Sequence, residues 1–467
     1  MAKVDKKNLW QIYDEAELTR LEEVNQCYRE CLDEGKTERE CVAKTIRMAR
    51  AAGYRDIREA IAAKKEGKEG LKAGDKVYAV YAERAIVLFQ IGKKPIEEGM
   101  NILGAHIDSP RIDLKQQTLY ETEGLAYFDT HYYGGVKKYQ WLAQPLAIHG
   151  VVVKENGEKV EIVIGEDPED PVLVITDLLP HLDKPIRKKT ADEFVDAENM
   201  DLLIGNRAKK GEEKDAVKGY IQDLLKEKYG IEEEDFISAE LEIVPAGKAR
   251  ECGLDRSMIL AYGQDDRVCA FTSLMAMLEV EEPERTSCCI LIDKEEIGSV
   301  GASGMTSRFF ENMVAEIVAL LGDYNELTVR RALSSSKMLS SDVSAAFDPM
   351  FAEVYEKRNS AMLACGPVFN KYTGHGGKSG SNDANPEYVA QLRRVMRENQ
   401  VRFQTAELGR IDVGGGGTIA YLCAVYGMEV IDSGIAVLSM HAPWETTSKA
   451  DIYEAVKGYK AFLKETF

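Results

Sequence analysis

The chain has no apolar run approaching a membrane span, so a bilayer-crossing helix is not expected. Its opening segment, MAKVDKKNLWQIYDEAELTR, has no apolar h-region, and no secretory signal is expected. Nine cysteines, an odd number without a Cys-x-x-Cys pair, give neither a disulfide framework nor a structural zinc motif. The neighbouring Cys288 and Cys289 read as small buried strand residues, and a reducing, cytoplasmic setting fits. Positive charge is short as well: 60 Lys and Arg stand against 79 Asp and Glu, a net −19 that disfavours nucleic acid and anionic membrane surfaces as partners. The phosphate-loop pattern Gly-x-x-x-x-Gly-Lys-Ser/Thr is absent, which argues against an NTPase. There is no internal repeat and no long low-complexity segment.

What is present suits a globular protein. With 467 residues the chain exceeds one simple core, and two domains are expected. Residues 14–65 are helix-like, and strand-like runs follow at KVYAVY, RAIVLFQIG and NILGAHID. The character changes over 112–238, where two β-rich runs flank an Asn156–Gly157 hairpin turn and a Lys/Glu-rich helical stretch runs to about 230. From 238 onward strands and helices alternate again: ISAELEIVP, the helix DDRVCAFTSLMAMLEV, SCCILID, KMLSSDVSAA, the apolar helix TIAYLCAVYG and the strand MEVIDSGIAVLSMH. This predicts an α/β fold, a mainly parallel sheet with helices on both faces. Residues 1–111 and 239–467 are expected to form one α/β domain, interrupted by a β-rich domain over 112–238.

Such sheets bind ligands beyond the carboxyl ends of their strands, and the chemistry-bearing residues fall there. His106 ends NILGA, with Asp108 two residues on to orient its imidazole. The strand 288–292 runs into Glu295 and Glu296, where one carboxylate can bind a metal while its neighbour acts as a base. Asp265 opens a helix, which a plain helix cap would also do. Asp342 and His441 close two further apolar runs. Only six histidines exist, and two cap apolar runs beside carboxylates. Two readings stand for 371–378, with Lys371, His375 and Lys378: a cationic substrate pocket or a surface loop. The glycine run 414–417, with Gly415 and Gly416, is either a cradle for substrate oxygens or a close-packed turn.

Six segments in order, AHIDSPRIDLK, YYGGVKKYQWLAQPL, GQDDRV, DKEEIGS, SSDVSAA and SMHAPWE, resemble the M18 metalloaminopeptidases, the group that includes aspartyl aminopeptidase and yeast vacuolar aminopeptidase I. The long gap from His106 to Asp265 separates the chain from M20 peptidases, and the Asp-Ser-Pro continuation favours M18 over M42. The resemblance implies two zinc ions per subunit, with Co2+ or Mn2+ as alternatives. They would be held by His106, Asp265, Glu296, Asp342 and His441, with Asp265 bridging. The partition of Asp342 and Glu296 between the ions stays open. Glu295 would be the general base and Asp108 the orienting carboxylate. Peptides with a free N-terminus are the implied substrates, with acidic N-terminal residues preferred if the 371–378 lysines line the pocket.

The inserted domain is implied to be a lid and oligomerisation arm of a homododecamer. His181 matches a segment that reaches a neighbouring active site, although Pro185 replaces the usual second histidine. A binuclear deacylase acting on N-acylated small molecules would use the same metals and base. A non-catalytic scaffold is disfavoured by the intact Glu295–Glu296 pair.

Overall fold

The computed structural model describes residues 7–467; the first six, which open the segment read as lacking a leader, lie outside the described residues. The chain divides into two compact units. Of the described residues, 7–108, 249–440 and 445–467 belong to the first, and 109–248 with 441–444 to the second.

The first unit is built on a nine-stranded sheet. Across it lie Arg55–Asp56, Lys76–Tyr81, Ala85–Gln90, Thr286–Ile292, Met100–His106, Lys337–Ser340, Glu429–Gly434, Val368–Asn370 and Gln404–Thr405. The four strands from Thr286–Ile292 to Glu429–Gly434 are parallel. The Lys76–Tyr81 and Ala85–Gln90 hairpin and the Val368–Asn370 strand join antiparallel. The sheet is therefore mixed, with a parallel centre, because a hairpin carries the same apolar pattern as two strands joined by a crossover.

Thr286–Ile292 and Met100–His106 are buried at every residue, as strands covered on both faces must be. The pleat sends alternate side chains to opposite layers. Ile102, Cys288, Ile290, Met338 and Val430 enter one apolar cluster, and Leu103, Cys289, Leu291, Leu339 and Ile431 enter the other. Each such side chain contributes about 1.5–3 kcal/mol of burial. The helices Glu15–Asp33 and Glu38–Ala51 start at capping boxes, Asp14 with Glu17 and Thr37 with Glu40. Gln264–Leu278 is buried around its circumference and packs on the C-terminal helix Lys449–Lys464. All nine cysteines are free thiols.

Two sequence expectations fail here. The apolar run after residue 417 gives only the short helix Ala420–Ala424. The run read as a single strand ending at His441 is broken. Glu429–Gly434 and Ala436–Leu438 belong to different sheets, and Ser439 and His441 take positive φ of 59° and 65°. Gly434 permits the break: a Cβ there would sit 1.6 Å from the Asp342 carbonyl oxygen.

The second unit is built on one seven-stranded antiparallel sheet, ordered Lys159–Ile164, Leu146–Val153, Ala239–Pro245, Arg111–Thr122, Leu125–Tyr133, Leu202–Gly205 and Val174–Ile175, with the helix Ala216–Tyr229 packed on it. The hairpin at Asn156–Gly157 forms, with Gly157 at φ 85°. Ala239–Pro245, read from sequence as part of the α/β portion, pairs here with two strands of this sheet, since a strand's own pattern does not name its partner. The unit accordingly spans 109–248 where the sequence suggested 112–238. Arg111 is buried in it, 3.2 Å from Glu242 and 2.7 Å from Asp113, over the Tyr133 ring. Among the described residues no helix is long and apolar enough to cross a membrane.

Candidate metal centre and substrate cleft

The parallel strands deliver their C-terminal residues to one edge of the sheet. Ile292 pairs with His106, and Ser340 with Gly104, so the 293–296 turn and Asp342 emerge beside the imidazole. His106 is 2% exposed. Its Nδ1 lies 2.9 Å from the Asp108 carbonyl oxygen and 3.2 Å from Asp108 Oδ1. With the proton on Nδ1, Nε2 is left to present its lone pair. Nε2 is 3.4 Å from Asp265 Oδ1 and 3.9 Å from Glu295 Oε2.

Asp108 has a second task. Its two carboxylate oxygens accept the backbone N–H groups of Glu295 and Glu296, each at 3.1 Å. Lys294, at φ 70°, starts the one-turn 3-10 helix Glu295–Ile297 and Gly298, at φ 92°, closes it. One buried carboxylate thus orients the imidazole and holds the double-glutamate turn. Asp265 is fixed by its own N–H, which donates to Glu445 Oε2 at 3.0 Å, while Gln264 Nε2 donates to the Glu445 carbonyl at 2.6 Å. Asp266 Oδ2 accepts the His106 N–H at 3.3 Å.

Ligand atoms of His106, Asp265 and Glu296 lie within 4.8 Å of one another, as do those of His106, Glu295 and Asp342, and those of Asp265, Asp266 and Asp342. Crowding shows in the acidities. Burial and then Asp266 hold the Asp342 carboxyl well above the usual range, with His106 opposing and Glu295 and Asp265 adding to the rise. Burial raises Asp266 likewise, His106 opposing and Asp265 adding. For His106, burial disfavours the cation, but Asp108 and Asp265 outweigh it and the pKa ends well above normal. Five acids converging on one imidazole form a set of hard and borderline donors that a divalent cation would stabilise, and zinc fits it.

His441 belongs to the second unit, where its Nδ1 is 2.9 Å from the Gly135 carbonyl oxygen. A Cβ on Gly135 would lie 3.0 Å from that nitrogen, which accounts for the second glycine of YYGG. Both expected histidine ligands therefore hold Nδ1 on a main-chain carbonyl. His181 is exposed on a turn of the second unit.

A cleft of about 390 Å3 opens in the first unit between residues 372–378 and 407–414. Lys378 lines it, with Nζ 3.8 Å from the Tyr372 ring centroid and 3.0 Å from Asp383 Oδ2. Lys371 is exposed and 3.8 Å from Asp383; His375 is also exposed. Tyr372 donates to Glu407 Oε1 at 2.6 Å, and Glu407 pushes the phenol up to about 12. Gly415 and Gly416 lie beside the cleft, the Gly416 carbonyl accepting the Gly374 N–H at 2.7 Å.

The family model for aminopeptidase I zinc metalloprotease (M18) matches residues 31–463. The chain belongs to the M18 family of zinc metalloaminopeptidases. A probable M18 family aminopeptidase 1 of Clostridium acetobutylicum is 57% identical over 98% of both chains, and one of Borreliella burgdorferi is 46% identical over 98% of this chain and 100% of that one. The crystal structure of aminopeptidase I from Clostridium acetobutylicum superposes with a TM-score of 0.92 at 55% identity, covering 100% of both chains. That of the Thermotoga maritima M18 aminopeptidase gives 0.93 at 42%, covering 99% and 100%.

Several residues of this M18 chain that support the site escaped the sequence reading. Asp266 was hidden as the second half of an Asp–Asp pair. Arg84 sits in a hairpin turn, and its Nε is 2.9 Å from Asp293 Oδ2, which the Ser303 hydroxyl also reaches. Burial, with Glu38 adding and Arg84 opposing, lifts Asp293 to about 7. The acidic DKEE run was the available signal for Asp293; none pointed to Arg84.

Proposed function

We propose that this aminopeptidase removes N-terminal residues from peptides with two zinc ions per subunit and Glu295 as general base, preferring acidic N-terminal residues. The Asp108 clamp carries the reading, because it sets two glutamates side by side next to an imidazole whose Nε2 is unencumbered by that clamp. The residues that would hold the ions are His106, Asp265, Glu296 and Asp342, with His441 added by family resemblance and Asp265 shared. Bound there, zinc supplies Lewis acidity, lowering the pKa of water and polarising a carbonyl oxygen; Co2+ and Mn2+ suit the same donors. Glu295 accepts a proton from water as the water oxygen attacks the scissile carbonyl carbon. It returns that proton to the amide nitrogen as the C–N bond breaks. Asp108 keeps base and imidazole in register throughout.

Acidic preference is supported by Lys378 on the cleft wall, whose present partner Asp383 a substrate carboxylate would replace. For the second unit we propose a lid and assembly role in a homododecamer, in which His181 would serve a neighbouring site. The dodecamer of S. cerevesiae mApe1 has the same fold, with a TM-score of 0.75 at 22% identity. A cytoplasmic setting accords with nine free thiols.

The deciding assay pairs free and N-acetylated aminoacyl p-nitroanilides, with and without chelator. The zinc-loaded protein is expected to cleave only the free series, and chelation to abolish that. Cleavage confined to the N-acetylated series would replace this reading with a deacylase. A monomer in light scattering would remove the assembly role.

A further inference from the structure

Asp432 takes no part in the chemistry above, yet it is a carboxylate buried to 2% exposure near the end of the strand Glu429–Gly434. In register it lies between Ser340 on one neighbouring strand and Asn370 on the other. The Thr418 hydroxyl donates to its Oδ1 at 2.6 Å. Burial pushes the carboxyl up to about 7; Thr418 and Ser340 oppose the rise, and the nearby Glu295 carboxylate adds to it. Keeping an acid there costs stability, and the hydroxyl it holds indicates what the acid is for.

Thr418 ends the glycine run 414–417, and that run is a seam. Gly374 N–H donates to the Gly416 carbonyl at 2.7 Å, and Gly414 N–H to the Arg410 carbonyl at 2.9 Å. The backbones approach too closely for side chains: a Cβ on Gly415 would meet Gly374 O at 1.9 Å, and one on Gly414 would meet Leu408 O at 2.0 Å. The run therefore joins the two walls of the cleft, 372–378 and 407–411. The first wall also begins two residues after Asn370, on the strand beside Asp432.

We infer that Asp432 is a positioning residue: through Thr418 it pins the glycine seam to the sheet edge and so sets how tightly the cleft grips the substrate. This rests on the reading of the cleft as part of the substrate site. The pin acts on substrate affinity and leaves the metal ligands alone.

Thr418→Val keeps the shape but removes both the donor to Asp432 and the acceptor of the Ala420 N–H at 3.2 Å, and Thr418→Ser keeps both. With the zinc-loaded enzyme and an aminoacyl p-nitroanilide, Thr418→Val is expected to raise KM about tenfold, the scale of one lost hydrogen bond to a charged group. The turnover number should stay within about twofold, since no group made only in the transition state is lost. Zinc content should be unchanged. Thr418→Ser should keep the wild-type KM, and Asp432→Asn, which leaves Thr418 a neutral acceptor, should fall between wild type and Thr418→Val. A second readout needs no turnover: amide hydrogen exchange over 372–378 and 408–417 should speed up in Thr418→Val and not in Thr418→Ser. An unchanged KM in Thr418→Val, equal damage in the Ser variant, loss of zinc or unchanged exchange would each overturn the inference. If the wild-type enzyme cleaves no free aminoacyl substrate, the proposed function fails, and hydrogen exchange still decides the seam.

Discussion

The acid cluster and the glycine-lined cleft belong to the same unit and are built by opposite means. The cluster hangs from the ends of buried parallel strands and is wired by charged side chains on main-chain groups, as Asp108 shows with Glu295 and Glu296. The cleft is made of loops whose main chains touch, with exposed side chains at its rim. Strand ends give a fixed geometry suited to holding ions and a base. Loops laced at glycines give a wall that a few hydrogen bonds can tighten or loosen, which suits discrimination among substrates.

Breaking the cluster should cost most. Glu295→Gln is expected to lower turnover by about 10²–10⁴-fold or more while zinc content by elemental analysis stays normal, because shape is kept and the proton acceptor is lost. Near-normal turnover of the zinc-loaded variant would remove Glu295 from its role. Asp108→Ala should cost about 10–100-fold in zinc affinity or activity, since it frees both the imidazole and the turn. His106→Ala should lower zinc content itself.

Breaking the cleft should cost less and fall elsewhere. Lys378→Met is expected to shrink the preference for N-terminal Glu over Leu, read as a ratio of kcat/KM values, by about fivefold, because this half-exposed ammonium is screened by water and by Asp383. Chelator sensitivity should not change. A wild-type preference for Leu or Ala would detach the acidic label altogether.

The smallest effect is a pH dependence in which zinc isolates the cluster's share, because Asp293 and Asp432 are also raised, to about 7. In metal-free protein Asp342 and Asp266 have pKa values raised above their unfolded values. The folded state then holds more protons than the unfolded one, so stability is greatest below the ordinary carboxylate range and falls as pH rises through the folded values. Tm of metal-free protein should therefore be lower at pH 8 than at pH 6, and zinc should narrow that gap. A metal-free Tm that rises over this interval would show that the cluster does not govern it.

How much of this could be read from the sequence follows the same division. The gathering of His106, Asp108, Asp265, Glu295, Glu296 and Asp342 in one place was legible because apolar strands lead into most of them, and a strand end is a local pattern. Asp432 and Thr418 were not, because their meeting depends on which strands become neighbours. Ala239–Pro245 was placed with the wrong sheet for that reason. His441 was read as the end of a straight strand. The break after Gly434 depends on how closely Asp342 approaches, and no window around His441 contains that information.

The alternation of Cys288 and Cys289 across the central sheet has a practical consequence. One thiol faces the layer containing Phe309–Leu321, the other the layer containing Gln264–Leu278, and burial raises the pKa of both. Neither can meet an alkylating reagent until its own layer lifts from the sheet. The pair is a built-in double clock: their separate alkylation rates time the breathing of each face of a single strand, with no residue substituted.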